Sequence, residues 1–401
     1  MKKLIWIILI VVLIVVLLGS CARLSLAYLA WQYYPPPPKT YSIALADLDA
    51  DGDLDAFLAN GRNEAPEPNT VLWNDGHGRF QDSGQQLGSF ESRYVLLSDF
   101  DRDGDTDALV SNSLGGEYFW NDGRGQFQPG QSVSMPDREG YPVGIWRFEA
   151  ADLNGDNRVD LFLTGCCGGK VSTDQGGWHP LNAYNSVWLS DSEGLPRDTG
   201  RNLGLGSSEA VALADLDADG DLDAFVANSS YQDELANPVA YDPNRVWLND
   251  GQGMFKDSGQ QLGHQRSYAI AVGDLDGDGD LDALVGNQGP DEVWWNDGLG
   301  YFSDSEQALG NTLTRYLHLA DLDRDGDLDA FTGGDKQGRI WLNDGRGFFT
   351  DSRQKINYSS RHAPTLGDVD GDGTLDVVAG KLDSALVWFN DGTSRMHMQT
   401  P

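Results

Sequence analysis

Apolar residues are distributed along this chain in two ways. Residues 4–18 form an unbroken run dominated by Leu, Ile and Val, preceded by Lys2 and Lys3 and followed by Gly19-Ser20-Cys21. From Tyr41 onward the apolar residues fall into short runs instead. The first two, residues 42–46 and 56–60, flank an acidic loop at residues 47–55. Runs this short, bounded by Gly, Asn and Asp, predict strands.

The pattern then repeats, and internal repeats outrank other signals. Acidic loops begin at Asp47, Asp99, Asp152, Asp215, Asp274, Asp321 and Asp368. Each is followed by a second signature, Trp73-Asn74-Asp75-Gly76 in the first repeat, recurring around Asn121, Ser190, Asn249, Asn296, Asn343 and Asn390. Asn-Asp-Gly is turn chemistry, and a Phe usually follows: Phe80, Phe127, Phe255, Phe302 and Phe349. Each repeat therefore holds four short strands: one before the acidic loop, one after it, one carrying a Trp and one carrying the Phe. Seven such units predict an all-β fold, a seven-bladed β-propeller filling residues 41–401 as one domain. The last unit offers only residues 395–399 as its outer strand, which leaves the closure of the ring open.

These units resemble FG-GAP or VCBS-type repeats, the family that includes the propeller of integrin α subunits. The resemblance covers about nine-tenths of the chain, with the third repeat degraded. It implies calcium in the acidic loops and a ligand held on the face opposite them.

The residues support a metal reading on their own. In the first loop Asp47, Asp49, Asp51 and Asp55 take positions 1, 3, 5 and 9, with a Gly52 kink at position 6 and the Asp53 carbonyl at position 7. The same positions hold Asp99, Asp101, Asp103, Asp105 and Asp107 in the second loop, and Asp215, Asp217, Asp219, Asp221 and Asp223 in the fourth. They hold Asp274, Asp276, Asp278, Asp280 and Asp282 in the fifth, and Asp321, Asp323, Asp325, Asp327 and Asp329 in the sixth. The seventh has Asp368, Asp370, Asp372, Thr374 and Asp376. An all-oxygen set curled around one point suits Ca²⁺, up to seven ions in all; Mg²⁺ prefers fewer protein oxygens. Without an ion, carboxylates about 5 Å apart repel by on the order of 3 kcal/mol per pair at an effective dielectric near 20. The spacing is not that of an EF-hand, because position 12 carries no Glu and the flanks are strands. The third loop, Asp152, Asn154, Asp156, Arg158 and Asp160, has Asn157 at the kink and is expected to bind more weakly.

The amino terminus adds a compartment. Residues 1–22 read as a signal or membrane anchor, either a hydrophobic helix or a cleaved leader. Leu18-Gly19-Ser20-Cys21 resembles a bacterial lipobox, with Cys21 as the lipidated residue; an uncleaved signal anchor is the alternative. Both place the remainder outside the cytoplasm, since Lys2 and Lys3 stay inside. In the linker at residues 23–40, four prolines at 35–38 read as a stiff stalk.

Strand alternation places the acidic loops and the Asn-Asp-Gly turns on one face of the ring. Connections between second and third strands then lie on the other. Those connections are longest in repeats 3 and 4, where Trp178, Tyr184, Tyr231 and Tyr241 are candidate ligand contacts. Six residues before each acidic loop stand Tyr41, Arg93, Trp146, Glu209, Tyr268, Arg315 and His362, a mixed rim around the channel mouth. Arg93 and Trp146 join the candidate contacts.

A net charge of −34 argues against nucleic acid as a partner, and the absence of any catalytic signature argues against a familiar hydrolase. Cys166-Cys167 is read as a vicinal disulfide or two free thiols. The expected function is an extracytoplasmic, membrane-tethered, calcium-binding recognition or adhesion module with an unidentified protein or glycan ligand. The alternatives are a polysaccharide-active enzyme on a calcium-stabilised propeller, or a structural component of a surface assembly.

Overall fold

The computed structural model describes residues 39–398 except 62–66, 89, 113–114, 134, 137–141, 144, 166–169, 173–177, 181–183, 193, 205–206, 230–241, 336 and 359–361. For Lys39, Met135–Pro136, Pro142–Val143, Trp146, Lys170–Ser172 and Trp178–Pro180 only the backbone path is described. The expected amino-terminal helix or signal, Cys21 and the proline stalk lie outside the described residues and gain no support from the structure. Among the described residues no helix is long and apolar enough to cross a membrane.

Seven antiparallel sheets follow one another along the chain, one for each acidic loop, and together form the seven-bladed propeller. The first blade shows the plan: Lys39–Ala46, Asp55–Gly61, Thr70–Trp73 and Gln81–Asp82 pair in sequence order. In the fifth blade the second and third strands run together through Gly289 as Asp282–Asn296. In the sixth, Ile356–Asn357 extends the outer strand's pairing with Gln337–Leu342. Short strands at Lys170–Ser172 and Trp178–Pro180 pair with each other in the third repeat's insertion.

The second strand of each blade is sandwiched between neighbours on both sides. Residues 55–61 and 107–112 are accordingly buried along their whole length, as an uninterrupted apolar run flanked by Asp and Asn predicts. There is no single core. Seven apolar clusters each span one seam between adjacent blades.

One of these clusters shows how the ring closes. Ile43, Leu58 and Leu72 of blade 1 pack on Val369, Val378 and Val387 of blade 7. The seventh blade needs no strand from elsewhere, because Met396–Met398 pairs with the Trp388–Asn390 segment as its outer strand. Polar contacts reinforce the seam: the Leu382 amide donates to Thr40 Oγ1 at 2.9 Å, and Asn74 Nδ2 donates to the Val369 carbonyl at 2.8 Å.

The repeated Asn has the same job throughout. Its side-chain amide donates to a carbonyl in the acidic loop of the preceding blade: Asn121 to Leu48, Asn249 to Leu153, Asn296 to Leu216, Asn343 to Leu275 and Asn390 to Leu322, all at 2.8–2.9 Å. Ser190 is too short for this. Its hydroxyl turns instead to the Val159 carbonyl of its own blade. Replacing Asn343 by Ala strands the buried Leu275 carbonyl and the half-buried Leu328 carbonyl and should cost about 1–3 kcal/mol. Urea unfolding of the variant checks this.

The recurring Trp residues divide into two registers. Trp188, Trp247, Trp294, Trp341 and Trp388 stand two places before the Asn or Ser and pack toward the preceding blade. Trp73 and Trp120 stand one place later and, by the period-2 alternation of a strand, pack toward the following blade.

Candidate metal centres and channel

Each acidic loop is a tight curl whose own carboxylates organise it. In the first, Asp47 accepts the amides of Asp51 and Gly52 at 3.2 and 3.1 Å, and Asp51 accepts that of Asp53 at 3.0 Å. The expected kink at position 6 is present: Gly52 has φ +97° and Asn157, in the third loop, φ +60°. A second left-handed residue at position 4 was not legible from composition, since Ala50, Arg102, Ala218 and Arg324 adopt it with φ of 58–69°.

The position-9 Asp is the keystone. Asp55 is 1 % exposed; one carboxylate oxygen accepts the Leu48 amide at 3.2 Å, the other the Asn74 amide at 2.9 Å. It thereby ties the loop to the Asn-Asp-Gly turn, as Asp107, Asp160, Asp223, Asp282, Asp329 and Asp376 do in their blades. Burial pushes these carboxyls up, to about 6 in Asp55 and about 7 in Asp329, against the opposing pull of the two amide donors.

At positions 1, 3 and 9, Asp47, Asp49 and Asp55 bring carboxylate oxygens within 4.8 Å of one another. The same holds for Asp99, Asp101 and Asp107, for Asp215, Asp217 and Asp223, and for Asp274, Asp276 and Asp282; in the sixth loop the trio is Asp321, Asp323 and Asp325. Oxygens 2.3–2.6 Å from a shared Ca²⁺ would lie within about this distance of one another. The donor set and its spacing thus fit a hard divalent ion.

The position-7 side chains point elsewhere. A Cβ built on Gly76 would lie 2.6 Å from Asp53 Oδ2, and the pairs Gly123/Asp105, Gly251/Asp221, Gly298/Asp280 and Gly345/Asp327 repeat the arrangement. The turn glycine therefore makes room for the loop's carboxylate, and only the backbone carbonyl of this residue remains a candidate ion ligand. In the third loop Arg158 Nη1 bonds Asp156 Oδ2 at 2.9 Å, so a guanidinium already neutralises the position-5 carboxylate. In the seventh, Thr374 donates to Asp372 at 2.5 Å and the Arg324 guanidinium donates to the Asp372 carbonyl at 3.2 Å.

At the opposite end of the blades the first strands open a central cavity of about 620 Å³. Tyr41, Arg93, Glu209, Tyr268 and Arg315 from the expected rim line it. The pairing register slips by one residue at Tyr41, Arg93, Trp146, Glu209 and Tyr268, so each of these five is the extra residue of a β-bulge. A bulge re-aims a side chain that regular pleating would point into the blade. His362 does not line the cavity and is buried, 8 % exposed.

Deeper in, the cavity is lined by Tyr94, Arg147, Tyr316 and His318. Sequence reading singles out Arg93 and Trp146 and misses Arg147, because the one-residue slip at Trp146 leaves no trace in the sequence that the next residue reaches the cavity. Arg147 lies over the Tyr94 ring, 4.8 Å from its centroid, and Arg315 over Tyr268 at 4.9 Å. Burial and the neighbouring Arg147 charge lower His318 to about 4, so it is neutral at pH 7.

Of the expected contacts outside the rim, Tyr184 is buried, 8 % exposed, where the third blade's insertion rejoins the sheet. Trp178 starts the short strand of that insertion, and its side chain, like that of Trp146, is not described. Tyr231, Tyr241, Cys166 and Cys167 lie outside the described residues. Gln85, Gln260, Gln307 and Gln354 are contacts that sequence reading missed. Each grips a backbone amide and carbonyl in the next blade's outer turn, as Gln307 does with Phe349 and Gly347.

Comparison with known proteins fits this geometry. Residues 99–163, 215–285, 274–332 and 321–379 match the model of the FG-GAP-like repeat, covering more than half of the chain. A search of curated proteins finds no match. Among solved structures, a lectin from Agrocybe aegerita that recognises non-reducing terminal N-acetylglucosamine is 17% identical, with a TM-score of 0.52 over 89% of this chain and 93% of that one. A protein from Lactobacillus plantarum is 12% identical, with a TM-score of 0.56 over 91% and 96%. A periplasmic gluconolactonase from Pseudomonas aeruginosa is 14% identical, with a TM-score of 0.53 over 80% and 86%. At such identities the likeness is one of fold alone. The family match, the seven blades and their repeated acidic loops together make this chain a member of the FG-GAP repeat family.

Proposed function

We propose that the protein is a calcium-stabilised recognition module, tethered outside the cytoplasm by its amino terminus, that holds a protein or glycan ligand on the face opposite its acidic loops. The observation that carries the reading is the repeated trio of carboxylates, gathered blade after blade at one end of the ring. Gathering like charges costs free energy that a bound cation reverses. The other end supports the binding role, because there the blades differ: it carries the bulged rim and the open cavity.

A glycan and protein array probed with residues 39–401, with calcium and with excess chelator, tests the reading. Binding to a defined ligand in calcium and its loss in chelator is the expected result. Binding of equal strength in both conditions overturns the calcium dependence, and no binding to any glycan or protein overturns recognition. The tether is tested separately: the chain should fractionate with membranes. If Cys21→Ala is recovered there uncleaved and at unchanged level, the lipoprotein form of the tether fails.

A further inference from the structure

Resting on that recognition reading, we infer that the axial cavity binds a carboxylated sugar, with Arg147 as the anchor for its carboxylate. The other charged groups at or beside the cavity have polar partners close by. Arg93 reaches Glu91 at 3.7 Å and Arg315 reaches Asp335 at 3.3 Å. Glu209 accepts the Ser229 hydroxyl at 2.6 Å, and Glu149 accepts that of Tyr94 at 3.2 Å. Arg147 differs. Its guanidinium carbon stands 4.8 Å from the centroid of the Tyr94 ring, and among the described residues no carboxylate oxygen comes within 4.0 Å of it, so the charges of Glu149 and Glu209 reach it only at longer range. It is a fixed, partly desolvated cation inside a cavity, and a planar fork of N–H donors matches a carboxylate bidentately.

Size and wall chemistry point from a bare anion to a sugar. A cavity of about 620 Å³ is large for an inorganic ion and admits a pyranose with its bound water. Tyr41, Tyr268 and Tyr316 supply rings that can face the apolar side of a sugar, while Glu209 can accept hydroxyl protons. The wall differs from blade to blade. At the position after the rim residue, blades 2, 3 and 6 line the cavity with Tyr94, Arg147 and Tyr316 and blades 1 and 7 with the small Ser42 and Ala363, whereas Ala210 and Ala269 are buried in the seams. A net charge of −34 repels polyanions at a distance, so the fitting ligand is a single carboxylated sugar on an otherwise neutral glycan.

Titration of the calcium-loaded full chain with D-glucuronate, D-glucose and acetate, followed by ligand-observed NMR, tests this. Glucuronate should bind at least tenfold more tightly than glucose or acetate. Arg147→Met should weaken glucuronate at least tenfold, with Arg147→Lys in between, while the melting temperature and its calcium response stay unchanged. Glucuronate binding unaffected by Arg147→Met overturns the inference, as does glucose binding equally well or acetate binding as tightly as glucuronate. An array ligand that still binds the Arg147→Met variant at full strength leaves the recognition reading standing while removing the cavity as its site. Should Arg147→Met fail to fold, the graded response of Arg147→Lys carries the test alone.

Discussion

Stripping calcium from residues 39–401 with excess chelator is expected to lower the melting temperature by on the order of 10 °C and to expose the acidic loops to proteases. The size follows from mass action. With dissociation constants of about 10⁻⁴ to 10⁻³ M and ~2 mM calcium, each occupied site adds roughly 0.6–1.8 kcal/mol, so several sites together add several kcal/mol. Without an ion, the loops hold Ala50, Arg102, Ala218 and Arg324 in left-handed backbone only through their own carboxylate–amide hydrogen bonds. The ion-free protein should also respond to pH with a definite sign. Asp55 is held up near 6 and Asp329 near 7 by burial, above the ordinary carboxylate value of 3.8. The folded state therefore binds more protons than the unfolded chain between about pH 4 and 7, and in chelator stability should fall as pH rises through that window. Calcium competes with those protons, so its stabilising effect should grow over the same range. Melting curves at pH 4.5, 6 and 7.5, with and without calcium, read both effects. Identical curves in calcium and chelator would falsify structural calcium.

What was legible in the sequence was whatever the repeat states seven times. The acidic loop with its kink and the Asn-Asp-Gly turn recur at nearly fixed spacing, and that was enough for the number of blades, the strand order and the separation of the two faces. What escaped depends on contacts between blades. Asn121 reads as a turn residue, but its amide reaches back 73 positions to Leu48, and nothing local in the sequence announces the partner. The bulge at Arg93 is equally silent, because a one-residue register slip leaves composition unchanged while re-aiming the side chain into the channel. Arg147 was passed over for the adjacent Trp146 for the same reason. Closure of the ring could not be read from the short last repeat, because it rests on Val369, Val378 and Val387 meeting Ile43 and Leu58 across nearly the whole chain length.

Those seams lead to the second large effect. Gly347, in the turn of blade 6, has φ +74°, and a Cβ there would sit 2.1 Å from the Trp295 ring of blade 5. Gly347→Ala therefore combines left-handed strain of about 1–2 kcal/mol with overpacking of about 1–3 kcal/mol. Gly259→Ala is the control, since Gly259 has φ +82° with nothing within 4 Å of a Cβ and should show the strain alone. Adding Trp295→Leu to Gly347→Ala removes the clash, so the double variant should be less destabilised than the sum of the singles. Additive losses in urea unfolding would show that the seam does not transmit the clash. The damage should also reach the candidate ion site of the neighbouring blade first. The turn of blade 6 touches the loop of blade 5, where the Gly345 carbonyl lies 3.5 Å from a Cβ position on Gly277 and Asn343 holds the Leu275 carbonyl at 2.8 Å. Displacing the far end of that turn loosens Asp274, Asp276 and Asp282 across the seam, while Asp321, Asp323 and Asp325 stay anchored within their blade by Asp329, which holds both the Leu322 and the Asn343 amides. Gly347→Ala combined with Asp276→Asn should consequently lose little more calcium affinity than Asp276→Asn alone, whereas Gly347→Ala combined with Asp323→Asn should lose affinity at two sites. Calcium titrations of the two double variants decide whether the seam, rather than the single blade, is the unit that assembles an ion site.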